Sequence, residues 1–305
     1  MSDYQVIIIG GGPAGLTAGI YATRAGLSTL LLEKMVPGGQ ITSSEWVENY
    51  PGFPEGISGF DLGQVMETQA VKHGLKIEMA EVNSIELSGS KKLVKTTRDE
   101  YSADTLIIAG GAEHAKLGIP GEEELLGKGL SYCATCDGPF FRERVTAVVG
   151  GGDVAIADAL FLSRFSSKVF LIHRRDQLRA TKILQDRAFA NEKIDLVWDT
   201  VVDAIDGNES VNGLQLQNVK TGEKSSLKVD GVFMAVGNKP NTEYLAHILK
   251  LGAGGTIPVN AQMETEIPGI FAAGDIREGS IRQVVAAAGD GAIAAVSAEK
   301  YLTQS

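Results

Sequence analysis

One short plan is written twice in this chain, and it restricts the fold more than any other feature. Residues 5–15, QVIIIGGGPAG, join a β-type apolar run to G-x-G-x-x-G at Gly10, Gly12 and Gly15. Residues 145–155, VTAVVGGGDVA, repeat the plan with Gly150, Gly152 and Ala155. A helical apolar pattern follows each copy, LTAGIYATRAG in the first and IADALFLSRFSS in the second. A second apolar strand then closes each, STLLLEK at 28–34 and KVFLIHRR at 168–175. Strand, Gly-rich turn, helix and strand in that order make the dinucleotide-binding unit. The expected fold class is therefore α/β, with two Rossmann-like βαβ nucleotide-binding domains.

The two copies are in register. Glu33 lies 23 residues after Gly10, and His173 lies 23 residues after Gly150. One G-x-G-x-x-G alone is weak evidence, because any tight strand-to-helix turn favours glycine. Two copies with the same flanks and the same offset are not explained that way. The first unit ends in an acid, Glu33, suited to the hydroxyls of an unphosphorylated ribose. The second ends in His173-Arg174-Arg175 with Arg179 one turn on, and guanidinium groups suit a 2′-phosphate. The plainer reading of Arg174 and Arg175 is a solvated basic strand end. The first unit thus reads as built for FAD or NAD and the second for NADP(H). Glycine is also plentiful, 37 in 305 residues, as expected where backbone closely approaches ligands.

The remaining sequence sorts around these units. A β-rich extension, EVNSIELSGSKKLVKTTRDEYSADTLIIAGG, follows the first, and Gly-Ile-Pro-Gly at 118–121 marks a crossing into a second domain. The segment from about 243, with GIFAAGDI and the helix-like IRQVVAAAGDGAIAAVSAEKYL, is too short to fold alone and is expected to pack back onto the first domain. The expected domains are 1–114 with 243–305, and an inserted 115–242. A net charge of −10 argues against a nucleic acid or an anionic membrane as partner. No targeting segment or membrane span is visible. Two cysteines form no disulfide scaffold, so a reducing cytoplasm is the expected compartment.

Those two cysteines sit together in SYCATCDG, at Cys133 and Cys136. Zinc needs four ligands, and the four histidines offer no paired spacing, so no metal site is expected. A buried structural pair and a dithiol–disulfide redox couple remain, and C-x-x-C is the usual spacing of the couple. A hydride donor and a disulfide need a flavin between them. Two nucleotide units and one C-x-x-C are therefore the parts for electron transfer from NADPH through FAD to a disulfide. Asp137 stands where a carboxyl with a burial-raised pKa would protonate a departing sulfur; its plain alternative is a turn residue before Gly138. A non-catalytic nucleotide or redox sensor is the rival of another class.

CATCDG, the two Gly-rich modules in this order, HRRDQLRA, GIFAAGDI and RQVVAAAGDGAIAA together resemble the bacterial-type, low-molecular-weight thioredoxin reductases, FAD- and NADPH-dependent members of the pyridine nucleotide-disulfide oxidoreductases. The resemblance spans essentially the whole chain. It implies an FAD domain with an inserted NADPH domain that carries the redox-active cysteines, a homodimer, and oxidised thioredoxin as protein substrate. It also implies a domain rotation between half-reactions, for which the loops near 113–121 and 238–244 are the expected hinges.

Position by position, the resemblance implies that Gly10, Gly12, Pro13, Ala14, Gly15, Glu33 and Lys34 hold the ADP half of FAD, with Val82 also on the FAD side. It puts Gly38, Gly39, Gln40 and Asn49 around the flavin, and Asp275 at the ribityl or pyrophosphate. Arg282 and Gln283 would lie near the isoalloxazine at the start of the last helix. Gly150, Gly152, Asp153, His173, Arg174, Arg175 and Arg179 would take NADPH. The catalytic set would be Cys133, Cys136 and Asp137. The chain departs from the family pattern at Gly110, where Thr is common, at Val154, often Ser, and at Asn238, often His.

Overall fold

An apolar run without alternation, such as Val6-Ile7-Ile8-Ile9, suits a parallel strand covered on both faces. The computed structural model describes residues 2–44 and 46–304. It opens with β1 (Ser2–Ile9), α1 (Pro13–Arg24), β2 (Thr29–Glu33), α2 (Gly59–Lys72), β3 (Lys76–Met79), β4 (Val82–Ser88), β5 (Lys91–Thr96) and β6 (Glu100–Ile108). These strands form one sheet, ordered β3-β2-β1-β6-β5-β4. Pairing is parallel from β3 to β6 and antiparallel from β6 through β5 to β4. Val6 and Ile8 pack with Leu16 and Ala18 of α1, while Ile7 and Ile9 pack on the opposite face with Leu30 and Leu32. Each such fully buried aliphatic side chain contributes about 1.5–3 kcal/mol of transfer free energy.

The chain crosses out of this unit after Glu113, at β7 (Ala112–His114), into a second compact unit, His114–Asn238. That unit holds β8 (Leu130–Ser131), α3 (Ala134–Asp137), β9 (Val145–Gly150), α4 (Asp153–Leu162), β10 (Lys168–Ile172), α5 (Lys182–Phe189) and β11 (Ile194–Val197). It continues with β12 (Thr200–Gly207), β13 (Val211–Asn218), β14 (Lys224–Leu227) and β15 (Gly231–Ala235). Five parallel strands run in the order β11-β10-β9-β15-β8, and β12 to β14 form an antiparallel sheet of three. The α/β class expected from the repeated plan is the class observed. The second helix is shorter than its pattern: α4 stops at Leu162, where the Ser163 hydroxyl bonds the Leu160 carbonyl at 2.8 Å and competes with the helical backbone.

β16 (Asn238–Pro240) pairs with β7 where the chain crosses back, and the first unit resumes at Lys239. It is completed by β17 (Ile270–Ala272), added in parallel to β6, and by α6 (Val284–Gln304). α6 lies close on α1, because a Cβ on Gly291 would collide with the Ala14 carbonyl. Asp290, the one charge inside the apolar stretch of α6, is buried and fully engaged. Its carboxylate accepts Arg277 Nε at 2.6 Å and Nη2 at 3.0 Å, and the Gly274 N–H at 3.1 Å. No helix among the described residues is long and apolar enough to cross a membrane.

Candidate functional site

The first Gly-rich turn is tight for a steric reason. Gly10 takes φ 107°, open to glycine but strained for other residues, and a Cβ there would collide with the Ala109 carbonyl. A Cβ on Gly15 would collide with the carbonyl of Gly10. Gly12, by contrast, faces open space: nothing lies within 4 Å of where its Cβ would be. It is the N-cap of α1, makes no side-chain cap, and is followed by Pro13 at the first helical position. A helix N-terminus with bare amides beside a cradle that a side chain would fill fits a pyrophosphate.

Three other segments meet this turn, through Glu33, Gly38 and Gly274. Buried Glu33 accepts the Gly11 N–H through Oε2 at 2.6 Å and the Met35 N–H through Oε1 at 2.8 Å. The Gly38 N–H donates to the Gly11 carbonyl at 2.8 Å, and Gln40 donates its amide to the Ala112 carbonyl. A Cβ on Gly274 would lie 3.0 Å from Ala14 Cβ, which brings the Gly274–Ile276 turn and Asp275 against α1. Asp275 accepts the Ser280 hydroxyl at 2.9 Å, and Ser280 Oγ accepts the Arg282 N–H at 3.1 Å. Asn49 donates to Gln283 Oε1 at 3.0 Å. Arg282, at φ 54°, and Gln283, whose carbonyl accepts the Ala287 N–H at 2.9 Å, lie at the start of α6, directly before Val284. Lys34 points outward to Glu113 at 3.1 Å. Val82 lies two residues beyond Ala80, whose N–H donates to the Glu33 carbonyl at 2.8 Å.

At Gly110 the missing side chain leaves a trace. The Tyr244 hydroxyl is the buried side-chain polar atom without a hydrogen-bond partner among the described residues. A Cβ on Gly110 would lie 3.7 Å from it and would clash with nothing. Serine there can donate to or accept from the phenol, and it also restricts the unfolded chain. Gly110→Ser is expected to stabilise the fold by about 1 kcal/mol in denaturant unfolding; destabilisation, or equal stabilisation in Gly110→Ser/Tyr244→Phe, would refute the pairing.

The second Gly-rich turn repeats the first. Gly152 faces open space and caps α4 without a side chain, while Ala155 closes under Gly150, its Cβ 2.7 Å from where a Gly150 Cβ would be. His173 occupies the place of Glu33 but not its chemistry. Its ring is buried against Gly151, and Nε2 meets the Gln177 carbonyl at 3.1 Å. Burial, and then the charges of Arg179, Arg175 and Arg174, lower its pKa despite the opposing Gln177 bond. Asp153 accepts the Thr181 N–H at 2.6 Å, and the Arg179 N–H donates to the Gly151 carbonyl at 2.7 Å. These bonds return the 174–181 loop to the turn and leave Arg174, Arg175 and Arg179 exposed. They line a cavity of about 340 Å³ together with Asp176, Asp199 and Lys220. No local pattern marks Asp199 or Lys220; they arrive from later turns, between β11 and β12 and between β13 and β14. Val154 is half exposed at the start of α4, so no hydroxyl stands there.

Cys133 and Cys136 form a disulfide, with Cα atoms 5.3 Å apart. Cys133 is the N-cap of the single turn α3: its Sγ accepts the Cys136 N–H at 3.2 Å, and its own N–H donates to Ser131 Oγ at 2.9 Å. The Asp137 N–H donates to the Cys133 carbonyl at 3.1 Å, and Asp137 is half-buried. The loop is braced through Tyr132. Its hydroxyl donates to Glu122 at 2.9 Å, and His114 stacks on its ring at 4.5 Å. Buried Glu122 also accepts the N–H groups of Leu117 at 3.0 Å and Gly118 at 2.6 Å. Burial first, and then Glu122, push the Tyr132 phenol well above its ordinary range. Asn238 has its own task, with Oδ1 2.6 Å from His114 Nδ1.

The chain matches the model of the pyridine nucleotide-disulphide oxidoreductase family over residues 4–291. It is 48% identical over 302 residues to the thioredoxin reductase of Bacillus subtilis (strain 168), covering 99% of this chain and 95% of that one. It is 46% identical to the thioredoxin reductase of Listeria monocytogenes serovar 1/2a, covering 99% of this chain and 94% of that one. The crystal structure of thioredoxin reductase from Streptococcus pyogenes MGAS5005 is similar, with a TM-score of 0.95 at 46% identity, over 100% of this chain and 99% of that chain.

Proposed function

The chain belongs to the pyridine nucleotide-disulphide oxidoreductase family, and on that footing we propose that it reduces the disulfide of thioredoxin with electrons from NADPH. The observation that carries this reading is a disulfide-bonded Cys133–Cys136 pair in a chain with two pyrophosphate-type turns, one ending in an acid and the other in arginines. The relatives named thioredoxin reductase support it. We assign FAD to the first unit, with Gly10, Gly12, Pro13, Ala14 and Gly15 at the pyrophosphate and Glu33 at the ribose. Lys34 and Val82 flank that end, Gly38, Gly39, Gln40, Asn49, Arg282 and Gln283 surround the flavin, and Asp275 takes the linker between. NADPH goes to the second unit, on Gly150, Gly152, Asp153, Arg174, Arg175 and Arg179, with His173 as the support beneath the turn.

When bound, FAD supplies the two-electron relay between a hydride donor and a disulfide. Reduction opens the Cys133–Cys136 bond and leaves two sulfurs that take up protons; Asp137, next to Cys136, is assigned to supply one. A thiolate of the pair then attacks a thioredoxin sulfur, forming a mixed disulfide and releasing one thioredoxin thiol. The other cysteine attacks its neighbour in that mixed disulfide, restoring the Cys133–Cys136 bond and freeing the second thiol. We place the hinges for alternating half-reactions at the two crossings. Gly111 (φ 66°) and Gly237 (φ 128°) lie beside them with no heavy atom within 4 Å of a built Cβ. A homodimer in a reducing cytoplasm completes the reading.

The test is direct. Purified protein supplied with FAD is expected to turn yellow, to bleach on adding NADPH, and to regain colour with oxidised thioredoxin. A protein that takes up no FAD, or that bleaches but ignores thioredoxin, overturns the proposal.

A further inference from the structure

The basic cavity beside the second Gly-rich turn contains a charge arrangement that the three arginines do not explain. Lys220 enters it from the turn between β13 and β14, with Nζ 2.8 Å from Asp176 Oδ2 and 3.0 Å from Asp199 Oδ2. The turn is shaped to present it. Asn218 Oδ1 accepts the N–H groups of Lys220 at 2.9 Å and Thr221 at 3.0 Å, and the Val219 N–H donates to the Asp199 carbonyl at 2.6 Å. Asp199 is held at φ 51°, with its side chain 16% exposed and its N–H 3.3 Å from the Arg175 carbonyl. Its carboxylate is thus anchored next to the arginines. The hydrogen bond from Lys220 holds Asp176 below the ordinary carboxylate range, and both aspartates raise Lys220, so the Lys220–Asp176 pair is charged at neutral pH.

Exposed ion pairs of this kind contribute little to stability, so their charge balance is the more telling feature. Four cations and two carboxylates line the cavity, a surplus of two positive charges. A phosphate monoester brings a charge of about −1.5 to −2 at neutral pH. Without Lys220 the surplus is halved, and two bare carboxylates face the incoming phosphate. A bare carboxylate there also suits the free 2′-hydroxyl of an unphosphorylated ribose, as it does at the end of the equivalent strand in nucleotide-binding units.

We propose that Lys220 is a specificity-determining residue, which neutralises Asp176 and Asp199 so that the arginines can select a 2′-phosphorylated nucleotide over its unphosphorylated counterpart. This rests on the reading of the second unit as the NADPH site. The carboxylates beside the arginines would weaken the preference if left unpaired, so selectivity depends in part on a hairpin outside the βαβ module.

The test is calorimetric binding of adenosine 2′,5′-bisphosphate and of 5′-AMP at low ionic strength, where screening is weakest. Michaelis constants for NADPH and NADH are measured alongside. Lys220→Met is expected to weaken 2′,5′-bisphosphate binding about fivefold, the scale of one exposed ionic interaction, and to leave 5′-AMP binding unchanged. Lys220→Arg is expected to keep the wild-type preference. Lys220→Met combined with Asp176→Asn removes one bare carboxylate and is expected to recover most of the loss. An equal loss for both nucleotides, no loss, or no recovery in the double variant overturns the proposal. Wild-type protein that fails to prefer the bisphosphate sinks the NADPH reading itself; wild-type preference with an indifferent Lys220→Met sinks only the role of Lys220.

Discussion

Serine at either Cys133 or Cys136 is expected to lower thioredoxin turnover by at least about a thousandfold, the scale of losing a catalytic nucleophile, while NADPH still bleaches the flavin. A lone thiol can open a thioredoxin disulfide once but has no neighbour to resolve the mixed disulfide, so it stops after a single turnover. The fold survives the change. In Cys133→Ser the new hydroxyl can still accept the Cys136 N–H that Cys133 Sγ accepts at 3.2 Å, as serine does at N-caps generally. The Tyr132–Glu122 brace does not involve either sulfur. Stopped-flow absorbance of the flavin against steady-state thioredoxin reduction separates the two half-reactions. Undiminished turnover in either variant would remove the sulfur pair from the electron path, and loss of bleaching in both would overturn its place after the flavin.

Neutralising Arg174 and Arg175 together, as Arg174→Gln/Arg175→Gln, is expected to raise the NADPH Michaelis constant roughly 30- to 150-fold. Charge-assisted hydrogen bonds contribute about 1.5–3 kcal/mol each, but both side chains are exposed. Screening reduces the pair to about 2–3 kcal/mol in total, and each 1.4 kcal/mol is tenfold in binding. The NADH constant should move less than about threefold, because no 2′-phosphate is present to lose a partner. The loop itself stays in place: it is tied by backbone bonds, Arg179 N–H to Gly151 at 2.7 Å and Thr181 N–H to Asp153 at 2.6 Å, and by buried Leu178 and Ala180. Equal shifts for both nucleotides would show that the phosphate is recognised elsewhere.

Much of the architecture was legible from local pattern. The apolar runs at Val6–Ile9 and Ala147–Val149 mark strands buried on both faces, and glycines directly behind them mark the turns. Other features escaped for identifiable reasons. The pattern after the second turn continued past Leu162, but a local hydroxyl bond from Ser163 ended the helix there. His173 matched Glu33 by offset, yet the ring folds under Gly151 and leaves contact with solvent to the arginines. Glu122 stands in a run of three acids, 122–124, with nothing local to single it out, and only the packed loop makes it the shared acceptor of Leu117, Gly118 and Tyr132.

Sequence alone determined the two βαβ modules, their common register, the acidic and basic strand ends, and the adjacency of the cysteines. Periodicity, turn sterics and short spacings act between neighbours, so they can be read without coordinates. Tertiary structure decided which distant groups meet: Lys220 with Asp176 and Asp199, Asp290 with Arg277 and Gly274, Gln40 with Ala112, and the unpartnered phenol of Tyr244 beside Gly110. A charge or hydrogen-bonding group carries no local sign of its partner, because the pairing exists only once packing has brought remote strands and turns to the same few ångströms.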